Sequence, residues 1–171
     1  RPGRTVTAGP LPRHLLPDTA TVDDSGRLWV GGCDIVDIAE QFGTPIFIYD
    51  TDHIRARCRE AREAFGDTAV YAAKAFLCRA MAALAHEEEM RIDVSTLGEL
   101  AVALAAGVPA ERLVVHGNNK SGSELRAALD AGVGIIVIDS FDEIDRLETL
   151  AEPGDRAPRV MVRITPGIEA H

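Results

Sequence analysis

The run Tyr71-Ala72-Ala73-Lys74-Ala75-Phe76 sets a single lysine among small and aromatic neighbours. A lysine that ends an apolar strand loses hydration, and that loss favours the neutral amine. A neutral amine is what imine formation with a carbonyl requires. Ala72, Ala73 and Ala75 leave room beside it for a flat ring. Position alone also fits a lysine that carries its charge to the rim on an apolar stem. The two readings stand level on these residues.

Other groups able to do chemistry follow at intervals: Asp93, then Ser95 and Thr96, then His116-Gly117-Asn118-Asn119-Lys120, then Asp139 and Arg163. Asp93 and Arg163 are expected to form a charge pair near Lys74, either in a site or merely closing one end of a fold. Asn118, Asn119 and Lys120 read as site groups or as a hydrogen-bonded loop before a helix. His14, His53 and His86 fall in an arm or on helix faces and are expected to be solvated. No His, Asp or Glu grouping has metal-ligand spacing.

These groups need elements to position them. Apolar or β-branched runs recur at Val70–Ala73, Arg91–Val94, Leu113–His116, Ile135–Ile138 and Val160–Ile164. Measured at residues 72, 92, 114, 136 and 162, the steps are 20, 22, 22 and 26 residues. Each gap holds one amphipathic stretch: Arg79–Glu88, Leu97–Ala106, Gly122–Ala131 and Phe141–Ala151. Gly107 and Gly132 sit where helices stop. Thr96 with Glu99, Ser121 with Glu124 and Ser140 with Glu143 each read S/T-x-x-E, the reciprocal capping box. Three such boxes, each after a strand and before a helix, set a βαβ register.

Repeated βαβ units make a parallel sheet, either doubly wound or closed as a (β/α)8 barrel. A dinucleotide fold would place GxGxxG after its first strand, whereas Ala73 to Cys78 contains no glycine. The barrel is therefore expected, and its catalytic groups come from the C-terminal ends of its strands. Upstream, residues 1–27 read as an arm with little core, and Leu28–Val30 as a strand ended by Gly31-Gly32. Ile35–Phe42 reads as a helix stopped by Gly43, Pro45–Tyr49 as a further strand, and Asp52–Phe65 as a helix.

Composition narrows the partners. The 171 residues are 46% hydrophobic and carry a net charge of -9, which argues against nucleic acid or an anionic membrane surface. Cys33, Cys58 and Cys78 include no CxxC pair, so reduced cysteines are expected. No apolar run is long enough to span a bilayer, and no signal-peptide core is present, so a cytoplasmic protein is expected.

At the lysine run the sequence resembles the pyridoxal-phosphate decarboxylases of the alanine-racemase fold. The resemblance continues along Met81, Ala82, Ala85 and Glu89 and through Asp93-Val94-Ser95-Thr96-Leu97-Gly98-Glu99-Leu100. It extends to His116-Gly117-Asn118-Asn119-Lys120-Ser121 and to Arg163-Ile164-Thr165-Pro166-Gly167-Ile168-Glu169-Ala170-His171. Within that group the sequence looks most like the diaminopimelate decarboxylase family in its actinobacterial form. Leu97 departs from it, standing where glycine is common.

The resemblance implies pyridoxal 5'-phosphate held as a Schiff base on Lys74, with Ala72, Asp93 and Arg163 in the cofactor pocket. It implies decarboxylation of meso-2,6-diaminopimelate to L-lysine by a cytoplasmic homodimer. Neighbouring alternatives are an ornithine or arginine decarboxylase, alanine racemase, or a non-catalytic pyridoxal-binding barrel. The implied domains are an arm at 1–27, a contribution to a small β-domain at 28–49, and the first half of the barrel at 50–171. The ring-stacking histidine, phosphate loop and substrate-binding domain of the family are expected to lie beyond His171.

Overall fold

A computed structural model of the chain describes residues 11–151, 158–164, 166 and 167. The described residues divide into two compact units, with the boundary between Glu60 and Ala61.

The first unit is built on a three-stranded antiparallel sheet in the order β1 (Thr21–Val22), β2 (Leu28–Val30), β3 (Cys33–Asp34). Gly31 and Gly32 both take positive φ, at 56° and 79°, and make the two-residue turn that joins β2 to β3. Asp23 closes the preceding turn by accepting from the backbone N–H groups of Ser25 and Arg27 at 2.8 and 3.0 Å and from the Trp29 indole at 3.0 Å. Helix α1 (Ile35–Phe42) follows as expected, with Asp34 as its N-cap accepting from Val36 and Asp37. Helix α2 (Thr51–Phe65) begins at the buried Asp50, whose carboxylate accepts from the N–H groups of Asp52 and His53 and from the Thr19 hydroxyl.

Two expectations change here. Within the stretch expected as an arm, Thr21–Val22 joins the sheet and Ala20 is buried; residues 1–10 lie outside the described residues. Pro45–Tyr49 is not a strand. An apolar run becomes a strand only where a neighbouring ladder receives it, and Phe47 is instead 89% exposed.

The second unit is a five-stranded parallel sheet: β4 (Val70–Ala72), β5 (Arg91–Val94), β6 (Leu113–Val115), β7 (Ile135–Ile138) and β8 (Val160–Val162). Between them run α3 (Arg79–Glu87), α4 (Leu97–Ala105), α5 (Gly122–Ala131) and α6 (Phe141–Leu150). The strands lie side by side in chain order. A doubly wound sheet reverses its order at a switch point; an unreversed series of β/α units is the winding of a barrel. The core lies between this sheet and its helices, with Ile92, Leu113, Leu125 and Ile136 fully buried. All of β6 and most of β7 are buried, as suits parallel strands covered on their faces.

The helix starts follow the hydroxyl caps. Thr96 with Glu99 and Ser121 with Glu124 form complete capping boxes. The third box is half formed: Ser140 accepts from the Glu143 N–H, but the Glu143 carboxylate turns inward. Gly132 stops α5 in the left-handed conformation.

At the N-terminal edge of the sheet, Asp67 gathers three arginines, Arg62 at 3.5 Å and two that lie closer. Arg91 reaches its carboxylate at 2.8 Å and Arg112 at 2.6 Å, while Arg91 also donates to the Asp67 and Glu111 carbonyls. These guanidinium groups, Arg91 first, hold the Asp67 carboxyl well below the ordinary carboxylate range. A depressed folded-state pKa contributes stability above the unfolded value, and that stability is lost as pH falls through the folded value. Asp67→Asn is therefore expected to lower the denaturant midpoint at neutral pH, with the gap to wild type closing in strong acid. Equal gaps at both pH values would show that the ion pairs contribute nothing.

Candidate functional site

Parallel pairing brings the strand ends to one edge. Ala72 pairs with Asp93, Asp93 with Val114, Val115 with Ile136, and Ile138 with Val162. Lys74 follows β4 in a single 3-10 turn, Ala73–Ala75, and Asp93 lies near the end of β5. His116 follows β6, Asp139 follows β7 and Arg163 follows β8. The groups singled out by type thus share the C-terminal edge, where a barrel carries its chemistry.

Lys74 is exposed, so burial does not desolvate it as the sequence suggested. The turn after Ala72 carries its side chain past the apolar strand. Ala72 is half-buried and Ala73 is 2% exposed, so the floor beside the lysine is made of small side chains.

Asp93 is the perturbed group. Its side chain is 16% exposed, and Oδ1 is buried with no hydrogen-bond partner among the described residues. Oδ2 lies 3.6 Å from Nδ1 of His116, longer than a hydrogen bond. Burial pushes the Asp93 carboxyl up from its ordinary value, while His116 and the charge of Lys74 pull it back.

The expected Asp93–Arg163 pair is not formed. Arg163 lies 3.9 Å from the Asp139 carboxylate across the ends of β7 and β8, and its N–H donates to the Ile138 carbonyl at 2.8 Å. Strand order explains the change. Asp93 stands on β5, three strands from β8, whereas Asp139 follows the strand next to β8.

Lys120 is the other surprise. Asn118 and Asn119 are exposed, but the Lys120 side chain is 1% exposed. Its ammonium meets Glu143 Oε1 at 2.8 Å and donates to the Gly117 and Val137 carbonyls at 2.8 and 2.6 Å. Glu143 is 2% exposed and also accepts from the Asp139 N–H at 3.3 Å. The S-x-x-E pattern assigns Glu143 to the Ser140 cap. Its inward turn has no signal in an S-x-x-E pattern, because the lysine that draws it lies a whole β/α unit earlier.

A cavity of about 460 Å³ opens at the opposite edge, lined by Arg91, Arg112 and Arg159 among others. Arg91 and Arg112 are already committed to Asp67 and to carbonyls, so this cavity has less free chemistry than the Lys74 edge. His86 differs from expectation too: its Nδ1 is buried without a partner among the described residues. Among the described residues no group of acidic, His or Cys side chains could hold a metal, and Cys33, Cys58 and Cys78 form no disulfide. No described helix is long and apolar enough to cross a membrane. Of the Arg163–His171 motif, Thr165 and Ile168–His171 lie outside the described residues.

The model of the pyridoxal-dependent decarboxylase pyridoxal-binding domain matches residues 51–171. The chain belongs to that family. It is 48% identical over 163 residues to diaminopimelate decarboxylase of Mycobacterium tuberculosis, covering 94% of this chain and 36% of the relative. It is 45% identical over 162 residues to the Bacillus subtilis enzyme of the same name, covering 92% of this chain and 37% of that one. The crystal structure of diaminopimelate decarboxylase from M. jannaschii in co-complex with L-lysine superposes with a TM-score of 0.78 at 28% identity. That match covers 90% of this chain and 37% of the other. The chain thus spans about a third of the length of these relatives, and its β/α units are part of the alanine-racemase-type barrel.

Two stability measurements follow, both on the cofactor-free full-length protein. Asp93 has a raised folded-state pKa, so its ionised form weakens the fold above that pKa, and the effect disappears below the unfolded value. Asp93→Asn should therefore raise the melting temperature at neutral pH and leave it unchanged in acid; a lower neutral melting temperature would refute this. Lys120→Met should cost about 3–5 kcal/mol by stranding a buried carboxylate. Lys120→Met with Glu143→Gln should cost less than the single change, as denaturant titration will show.

Proposed function

We propose that the full-length protein carrying this chain decarboxylates meso-2,6-diaminopimelate to L-lysine with pyridoxal 5'-phosphate, and that Lys74 holds the cofactor. The observation that carries the reading is the meeting of Lys74, Asp93 and His116 at the C-terminal edge of one parallel sheet. The relatives' names and the lysine in the M. jannaschii crystal structure support the substrate.

The residues present fit the cofactor. Lys74 offers an exposed amine above small side chains, and Asp93 presents a buried oxygen with no protein partner described. Lys74 would hold the cofactor covalently through Nζ, and Ala72, Asp93 and Arg163 would line its pocket. When bound, pyridoxal phosphate supplies the electron sink that lets carbon dioxide leave.

The remaining work belongs to the protein. His116 and the charge of Lys74 favour the ionised form of Asp93 against its burial. Arg163, with half of its side chain exposed, offers a cation to an anionic group entering the mouth. In this reading residues 28–49 belong to a small β-domain completed by other parts of the protein, and residues 50–171 form the first half of the barrel. The working protein is a cytoplasmic homodimer.

The test is reductive trapping of pyridoxal phosphate on the full-length protein, followed by peptide mass mapping and a carbon dioxide release assay on meso-diaminopimelate. Wild type should carry the label on Lys74 and release carbon dioxide. Lys74→Ala should lose the label and at least about a thousandfold of the activity, in the range expected when a covalent group is removed. A label elsewhere would overturn the role of Lys74. Labelling without carbon dioxide release would overturn the decarboxylase reading.

A further inference from the structure

His116 has no role in the sequence motif beyond its place before Gly117, yet its imidazole is the described partner nearest the Asp93 carboxylate, at 3.6 Å. What fixes that distance is the backbone on either side. The His116 N–H donates to the Val94 carbonyl at 2.9 Å, which ties it to β5. The next carbonyl, that of Gly117, accepts from the Lys120 ammonium at 2.8 Å. That ammonium is held in turn by the Val137 carbonyl and by Glu143, with both charged side chains at most 2% exposed. The Lys120 carbonyl accepts from Arg146 at 2.8 Å, so the far end of the loop is fastened to α6.

Rotation of the Gly117 peptide would remove one of the three partners of a buried ammonium. A buried charge left short of a partner is costly, so the loop has one low-energy setting. His116 inherits that setting. Lys120 and Glu143 touch neither Lys74 nor Asp93 in any described contact; their route to the Asp93 side of the site runs through His116, while Glu143 also holds the Asp139 N–H beside Arg163.

We propose that Lys120 and Glu143 are positioning residues of the pyridoxal site, and that they act by holding His116 against Asp93. The inference rests on Lys74 being the residue that holds the cofactor.

The test is a double-mutant cycle in the full-length protein. One change is Lys120→Met with Glu143→Gln, which removes both charges but keeps an acceptor for the Asp139 N–H and so leaves the Arg163 side undisturbed. The other is His116→Ala. The readout is pyridoxal phosphate affinity, measured by borohydride trapping on Lys74 across pH, with melting temperature recorded alongside. Besides His116, the ionisable groups that act on Asp93 among the described residues are Lys74 and Glu99, and both are left intact.

The paired change should weaken affinity about tenfold in the wild-type background, within the range for groups coupled in one network. In the His116→Ala background it should change affinity less than about twofold, and its pH profile should superimpose on that of His116→Ala. Equal losses in both backgrounds, or an unaltered pH profile with only the melting temperature lowered, would overturn the proposal. Full wild-type affinity in the paired variant would overturn it as well. If the paired variant does not fold, Lys120→Arg takes its place; it keeps the charge but shifts the donors that reach the Gly117 carbonyl. Absence of label on Lys74 in wild type would instead count against the reading of Lys74 itself.

Discussion

Parallel hydrogen bonding is the constraint from which the site follows. Strands that run the same way, joined by right-handed crossovers, must all finish at one edge. Register then decides who meets whom. Ala72 beside Asp93 and Val94 beside Val115 put Lys74, Asp93 and His116 on three adjacent strand ends. Ile138 beside Val162 does the same for Asp139 and Arg163. No side chain has to seek its partner across the fold, because the ladder sets the separations before any polar contact forms.

The two edges of the sheet use charge differently. At the N-terminal edge Asp67 and its arginines are partly exposed, and each charge has an opposite or a carbonyl beside it. At the C-terminal edge a half-buried carboxylate on β5 keeps one oxygen without a partner among the described residues, and burial disfavours its ionisation. A fold selected only for stability would not keep such a group. Perturbed titratable groups in concave, shared positions are where chemistry is expected. The buried Lys120–Glu143 pair lies beneath this edge. Its desolvation offsets much of its attraction, so its value lies in a fixed loop geometry more than in net stability.

Much of this was legible in the sequence because it rests on local physics. Helix starts are written in hydroxyl caps, and α1 and α5 match their expected limits because Asp34, Ser121 and the glycines after them act within a few residues. Strand positions follow from apolar runs that a parallel sheet must bury. Features that depend on distant parts of the chain were not legible. Pro45–Tyr49 has strand composition but receives no ladder. Asp93 and Arg163 are complementary in charge, yet three strands separate them. Glu143 fits a capping box and is nevertheless drawn away by a lysine 23 positions earlier. Each misplacement turns on where distant parts of the chain lie, which no local preference records.

Lys74 and Lys120 show why residue type alone does not find a nucleophile. Both follow strands of the same sheet at the same edge, and both lie in segments shared with the family. Lys120 has all three ammonium protons directed at acceptors, at 2.6 to 2.8 Å, and is shut from solvent. For that amine to attack a carbonyl it would have to break the carbonyl contacts, leave Glu143 unpaired and find a path outward. Lys74 has no hydrogen bond to any described residue and faces solvent beside alanines, and its charge acts on Asp93. The lysine free to react is the one the fold leaves unsatisfied. The other serves the site by being satisfied completely.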